Sequence, residues 1–353
     1  MELFEFLLQD RVAKIKAINE QYDLENNAYI SFSGGKDSCI VSELIDIALP
    51  NNRIPRLHIN TGVEYRFITK YVKERAKKDN RFIIIDSGVN IKRMLETDGY
   101  PFKSKQHSHN WMIYKNNEQE ASRYFEMIDN NKNLLKDVNF ISQLPKGIKT
   151  NVKYVYGIRE KELPIRNTEE RERALSTSIK NCPDLLKYQF DGKLSFKISD
   201  KCCYRLKKEI AKKWQISYNK SIVITGIRAE EGGMRNQGGC TVFDGKDLHK
   251  FHPIKVVSDE WEDEFVKRYN IKLCKLYYPP YNFKRTGCKG CPFNKDVASE
   301  LLTMKKLLPN EYKQCLYLWK PVYDEYIRLG YRLSKDFYDI KPQYNIFDYE
   351  EEE

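Results

Sequence analysis

The sequence predicts an α/β fold, a doubly wound parallel sheet with a helical insertion and a C-terminal cysteine-bearing helical arm. Three observations predict it. A short apolar run, Ala28-Tyr29-Ile30-Ser31-Phe32, leads into a glycine loop, Ser33-Gly34-Gly35-Lys36-Asp37-Ser38. That loop opens a helix whose apolar residues Val41, Leu44, Ile45 and Ala48 recur at helical spacing. Further apolar runs then alternate with helical patterns, as in a sheet wound by right-handed crossovers.

The elements follow in order. Residues 2–20 read as a helix, with Leu3, Phe6, Leu7, Val12, Ile15 and Ile18 on one side. Strand one ends at the glycine loop, and the helix after the loop stops at the turn cluster Pro50-Asn51-Asn52. Arg56-Leu57-His58-Ile59-Asn60 reads as strand two, and Thr61-Gly62 opens a helix over 64–78. Residues 81–86, Arg-Phe-Ile-Ile-Ile-Asp, are almost continuously apolar, as expected of a parallel strand covered on both faces. Residues 100–199 mix aromatic, basic and polar side chains and read as an irregular insertion with short helices and a mobile substrate cover. Regularity returns at Ser221-Ile222-Val223-Ile224-Thr225, and Ser258-Asp259-Glu260-Trp261 has the form of an N-cap and acidic first turn. After Pro279-Pro280 come a cysteine-bearing arm and helices over about 296–330. The domain expectation is a nucleotide-binding α/β domain over 1–270 and the arm over 271–353.

At a strand–loop–helix junction, two glycines remove the Cβ atoms that would keep backbone N–H groups away from an oxyanion. The helix start supplies orphan donors and a partial positive charge. Ser33 and Ser38 add hydroxyls and Lys36 a cation, while Asp37 would repel phosphate and so is expected to cap the helix or hold Mg²⁺. The spacing is not that of Gly-x4-Gly-Lys-Ser/Thr. It resembles the PP-loop, Ser-Gly-Gly-x-Asp-Ser, of the ATP pyrophosphatases, a group of Rossmann-like adenine nucleotide alpha hydrolases. These include the small subunit of ATP sulfurylase, tRNA thiolation enzymes, the sulfur-transfer subunit of DNA phosphorothioation systems and, with a degenerate loop, the phosphoadenosine phosphosulfate (PAPS) reductases. The resemblance implies ATP or an adenylyl-sulfate nucleotide as ligand, with the loop on the phosphates. Thr61 and Gly62 at the second strand end, and Gly226 at the fourth, are expected at the same edge. Arg228, Glu231 and Arg235 look like the segment that follows a core strand in ATP sulfurylase small subunits and PAPS reductases, and its arginines are expected to fork onto phosphate or sulfate oxygens. Lys36, Asp37 and Arg228 are the candidate catalytic residues.

Nine cysteines in a chain with no secretory n-region read as thiols rather than disulfides, and the chain as cytoplasmic. Cys202-Cys203 and Cys288-Lys289-Gly290-Cys291 are paired by spacing. Cys203, Leu206, Ile210 and Trp214 share a helix face, which predicts Cys203 turned inward and Cys202 about 100° around the helix. Two adjacent thiolates suit a cubane cluster better than one tetrahedral zinc, with zinc and unmetallated core thiols as the alternatives. The layout resembles the Cys-Cys…Cys-x-x-Cys set of assimilatory adenylyl-sulfate (APS) reductases, which implies a 4Fe-4S cluster on Cys202, Cys203, Cys288 and Cys291. Those reductases also carry a Glu-Cys-Gly tail. This sequence ends Asp348-Tyr349-Glu350-Glu351-Glu352-Glu353, and of its other cysteines only Cys240, after Gly238-Gly239, reads as a candidate reactive thiol.

The net charge of +11, from 61 Lys and Arg against 50 Asp and Glu, suits an anionic substrate. Lys201, Arg205, Lys208 and Lys212 form a helical stripe that is either a solvated face or a track for a phosphate backbone. The function expected is adenylyl and sulfur-transfer chemistry with ATP, Mg²⁺ and the cluster. A tRNA or DNA acceptor and a sulfur donor such as a cysteine desulfurase would be its partners. Sulfite release from PAPS or APS, and a non-catalytic nucleotide-binding component of a defence or DNA-modification complex, are the alternatives.

Overall fold

The computed structural model describes residues 3–156, 194–231 and 238–340. They divide into two compact units. The first holds described residues 3–89, 205–231 and 238–289, and the second 90–156, 194–204 and 290–340.

The first unit is the α/β fold. Its six strands are β1 (Ala28–Ser31), β2 (Arg56–Asn60), β3 (Phe82–Asp86), β4 (Ile222–Ile224), β5 (Thr241–Asp244) and β6 (Asp247–Phe251). They lie in the order β3-β2-β1-β4-β6-β5. All neighbours are parallel except the edge pair β5–β6. The order reverses between β1 and β4, and ligands in such sheets sit beyond the carboxyl ends at that switch point.

Its first three long helices are α1 (Leu3–Tyr22), α2 (Lys36–Ala48) and α3 (Arg66–Lys78). Helix α2 buries Cys39, Ile40, Val41, Leu44 and Ile45 completely, as its periodicity requires. Its N-cap is Gly35, with no side-chain capping bond. Asp37 therefore sits inside the first turn and does not cap the helix. The hairpin β5–β6 is not among the expected strands. Its two-residue turn is Gly245-Lys246, with Gly245 at φ +61°, and glycine at the first central position is the signal that would have found it. A further helix, α4 (Asp259–Arg268), begins where expected, with the Ser258 side chain accepting from the Trp261 N–H.

The second unit is helical. Between 105 and 156 it is more regular than the composition suggested. Helices Lys105–Asn116, Glu118–Asn130, Val138–Gln143 and Lys146–Tyr156 surround a core that includes Ala121, Ile128, Ile148 and Val152, all fully buried. Its C-terminal helices are Val297–Leu307 and Pro309–Leu329. No helix among the described residues is long and apolar enough to cross a membrane.

Candidate functional site

A cavity of about 350 Å³ lies at the carboxyl ends of the central strands of the first unit. Ser33, Gly35, Lys36, Asp37 and Ser38 of the glycine loop line it, with Gly226 after β4. Tyr29, Leu57, Ile59 and Ala211 supply an apolar wall. The close approach of β4 to the loop needs Gly226: a Cβ there would lie 2.8 Å from the Asp37 Cβ and 3.0 Å from its carbonyl carbon.

The two loop glycines have different reasons. Gly34 has φ +78°, and a Cβ on it would lie 3.0 Å from Cγ2 of both Ile68 and Val72 on α3. It faces the core behind the loop. Gly35 faces forward, where a Cβ would lie 3.3 Å from Ser33 Oγ, Thr286 Oγ1 and the Tyr277 hydroxyl. The loop binds itself tightly. The Gly35 N–H donates to Ser33 Oγ (3.2 Å), Ser38 Oγ donates to the Gly35 carbonyl (2.8 Å), and the Lys36 N–H donates to the Tyr277 hydroxyl (2.9 Å).

The cations beside the loop are held by carboxylates. Lys36 Nζ is 2.9 Å from Asp263 and 3.2 Å from Glu262. Burial pulls the Lys36 pKa down, but the two carboxylates more than offset it, and the net direction is up. Arg228 is buried and does not line the cavity. Its guanidinium meets Glu230 (3.1 Å), Asp259 (2.5 Å) and Glu262 (3.1 Å). Arginine at this strand end thus serves the carboxylate network. Glu262 is fully buried between Lys36 and Arg228, and burial, reinforced by the Asp37 charge, pushes its carboxyl well above the usual range. Burial likewise raises Asp37, with Arg228 and Lys36 opposing and Glu231 adding to the shift.

Thr61 is buried and outside the cavity lining. Its N–H and hydroxyl both donate to the Glu64 carboxylate, at 2.9 and 2.6 Å, which fixes the turn through Gly62 at φ +79°. Glu64 itself lines the cavity, 3.6 Å from Lys207 Nζ. His58 also lines the cavity; its Nδ1 is 3.0 Å from the Phe32 carbonyl, and burial lowers its pKa, which favours the neutral ring. Arg235 and Cys182 lie outside the described residues.

Sequence reasoning missed Tyr277, Lys284, Arg285 and Thr286, which line the cavity from the segment before Cys288. Lys284-Arg285-Thr286-Gly287 carried a signal, two cations and a glycine beside a cysteine motif. Tyr277 carried none.

Of the candidate metal ligands, Cys202 is 6% exposed while Cys203 is only partly buried, the reverse of the helical-wheel expectation. A π-helical turn at Tyr204–Lys208 explains the reversal, because it inserts a residue into the periodicity and rotates the register. Cys202, Cys203 and Cys291 belong to the second unit and Cys288 to the first. Among the described residues, no three or more His, Cys, Asp or Glu side chains are gathered to hold a metal ion. Mg²⁺ asks less of a protein, one or two carboxylates with the rest from water and phosphate, and Asp37 and Glu231 line the cavity. Lys201, Arg205, Lys208 and Lys212 are all exposed, and Arg205 pairs with Glu209 at 3.2 Å.

The profile of the phosphoadenosine phosphosulfate reductase domain matches residues 27–190 and 165–294 of this chain. An uncharacterized protein of Methanocaldococcus jannaschii is 31% identical over 104 residues, which are 27% of this chain and 25% of that protein. The alignment thus spans a quarter of that relative's length. Among solved structures, the NH3-dependent NAD synthetase of Campylobacter jejuni subsp. jejuni, in complex with the nitrate ion, aligns at 12% identity. The alignment covers 92% of this chain and 96% of that one, with a TM-score of 0.34.

Proposed function

This chain belongs to the phosphoadenosine phosphosulfate reductase domain family, nucleotide-binding enzymes, and on that premise we propose that it cleaves ATP between the α- and β-phosphates to activate an acceptor for sulfur transfer. The observation that carries the reading is the cavity at the sheet's switch point, lined by the Ser33–Ser38 loop and by apolar side chains. The apolar wall of Tyr29, Leu57 and Ile59 accommodates the base and the loop the phosphates. Helix α2 directs its first-turn N–H groups and positive end at the leaving pyrophosphate. Lys36 exchanges a carboxylate partner for a phosphate oxygen.

The charge around the loop makes a divalent cation part of this proposal. Asp37, Glu64 and Glu231 line the cavity among Lys36, Lys207, Lys284 and Arg285. Asp37 and Glu231 would repel a polyphosphate that came without a cation. Mg²⁺ on Asp37 and Glu231 would neutralise the phosphates and draw charge from the breaking bond. The test is binding of ATP with and without Mg²⁺, followed by pyrophosphate release. Mg²⁺-dependent binding with slow pyrophosphate release is expected, since water is a poor substitute for the acceptor. Sulfite release from APS or PAPS with thioredoxin, and none of pyrophosphate from ATP, would replace this reading with a reductase.

The sulfur half of the proposal rests on the Cys-Cys and Cys-x-x-Cys pattern. Anaerobically purified protein is expected to be brown, with about four irons and four acid-labile sulfides per chain, and Cys288→Ser or Cys291→Ser to lose the colour. Stoichiometric zinc without labile sulfide would refute the cluster. A tRNA or DNA acceptor suits the exposed stripe of Arg205, Lys208 and Lys212, and a cysteine desulfurase is the sulfur donor proposed with it.

A further inference from the structure

The Lys36 N–H opens the 13-residue helix α2 and belongs to the first-turn donors that a helix leaves without an internal partner. In a phosphate-binding loop this is where an anionic oxygen sits. Here a protein hydroxyl holds the place: Tyr277 Oη is 2.9 Å from the Lys36 nitrogen. The same hydroxyl is 2.8 Å from Thr286 Oγ1, and both side chains line the cavity. They stand over Gly35, each 3.3 Å from the position a Cβ would take. The neighbouring donors are occupied from within the loop, Gly35 N–H by Ser33 and the Ser38 hydroxyl by the Gly35 carbonyl.

We propose that Tyr277 sets the anion selectivity of this loop: its hydroxyl stands in for a phosphate oxygen on the Lys36 amide, and only a charged oxyanion displaces it. A phenol oxygen is a neutral acceptor. A phosphate oxygen accepts a charge-assisted bond, roughly twice as strong. A neutral ligand therefore gains nothing by competing for the Lys36 N–H, whereas a polyphosphate does. The exchange frees the Tyr277 hydroxyl and loosens the Tyr277–Thr286 contact that closes the front of the loop. No covalent change is involved. The inference rests on the reading that this loop receives the nucleotide's phosphates, and it adds the residue that decides which ligands are admitted.

The experiment titrates the full-length wild type and Tyr277→Phe, each with Mg²⁺, using ATP, inorganic tripolyphosphate and adenosine as probes in a calorimeter. Phenylalanine keeps the ring and removes only the competing oxygen. ATP and tripolyphosphate are expected to bind Tyr277→Phe about five-fold tighter, the equivalent of one ordinary hydrogen bond, while adenosine affinity stays the same. Thr286→Val, which removes the second anchor of the hydroxyl, is expected to move tripolyphosphate affinity in the same direction by less. Thermal melting checks that both variants fold. Wild-type ATP binding with equal or weaker binding in Tyr277→Phe would overturn the displacement while leaving the proposed function standing. Tighter adenosine binding in step with ATP would overturn it as well, because the effect would then belong to the cavity as a whole. No ATP binding by either folded protein would remove the proposed function, and this inference with it.

Discussion

Gly34→Val is expected to destabilise the first unit by roughly 3 kcal/mol and to abolish ATP binding. Two independent terms make up that figure. Gly34 has φ +78°, and an L-residue in the left-handed region costs about 1–2 kcal/mol. The new Cβ would also lie 3.0 Å from Cγ2 of Ile68 and of Val72, both fully buried on α3. Overpacking a dense core costs about 1–3 kcal/mol more. Gly34→Ala should fall between wild type and Val, since it takes the backbone strain with less crowding. Gly35→Ala separates stability from binding. Its backbone is extended at φ −82°, and its Cβ meets only three hydroxyls at 3.3 Å. It should melt close to wild type and lose affinity for polyphosphate. Chemical denaturation beside ATP titration checks all three. A Gly34→Val protein with wild-type stability would show that the loop does not pack against α3.

Gly290→Ala, within the Cys288-x-x-Cys291 turn, is expected to cost the second unit about 3–4 kcal/mol. Gly290 has φ +60°. A Cβ on it would strike the Tyr323 hydroxyl and sit 2.8 Å from Cys315 Sγ and 3.1 Å from Cys315 Cβ. Neither neighbour can give way. Tyr323 and Cys315 are fully buried on Pro309–Leu329, and the Tyr323 hydroxyl donates to the Gly290 carbonyl. The strain and the clash can be separated by a double-mutant cycle with Cys315→Ala, which opens space on one side. Gly290→Ala should be less damaging in that background, with a coupling of about 1 kcal/mol or more. Additive effects would show that the Cys315 thiol takes no part in the penalty, leaving it to backbone strain and the Tyr323 contact. The glycine's place was legible as a turn residue between two cysteines; its fit against Tyr323, 33 residues later, was not.

The two glycine positions show where sequence reasoning reached and where it stopped. Local patterns carried β1 to β4, α2 and the Ser258 cap, because each follows from residues within one or two turns of chain. The loop Ser33-Gly34-Gly35-Lys36-Asp37-Ser38 was legible for the same reason, since donors, glycines and helix start are contiguous. The inward thiol was assigned to Cys203 because an α-helical period was assumed through 203–214. One π turn at Tyr204–Lys208 moved burial to Cys202. The β5–β6 hairpin was passed over because its strands expose Val242 and Phe243, so the apolar alternation that marks a half-buried strand is weak.

What the amino-acid order decided is therefore the parallel sheet, the glycine loop at a helix start and the family. Each rests on short-range spacing that the backbone must obey wherever the segment lies. What tertiary structure alone decided is how the loop's groups are used. Tyr277 reaches Lys36 from 241 residues away, and Glu262 joins Lys36 to Arg228 from a helix far along the chain. Such partners are chosen by packing and by the cost of burying an unpaired charge, and no periodicity encodes them. Arg228 was placed on phosphate by its charge and strand-end position. Folding surrounded it with three carboxylates, because a buried guanidinium takes the nearest anions the sheet and α4 bring to it.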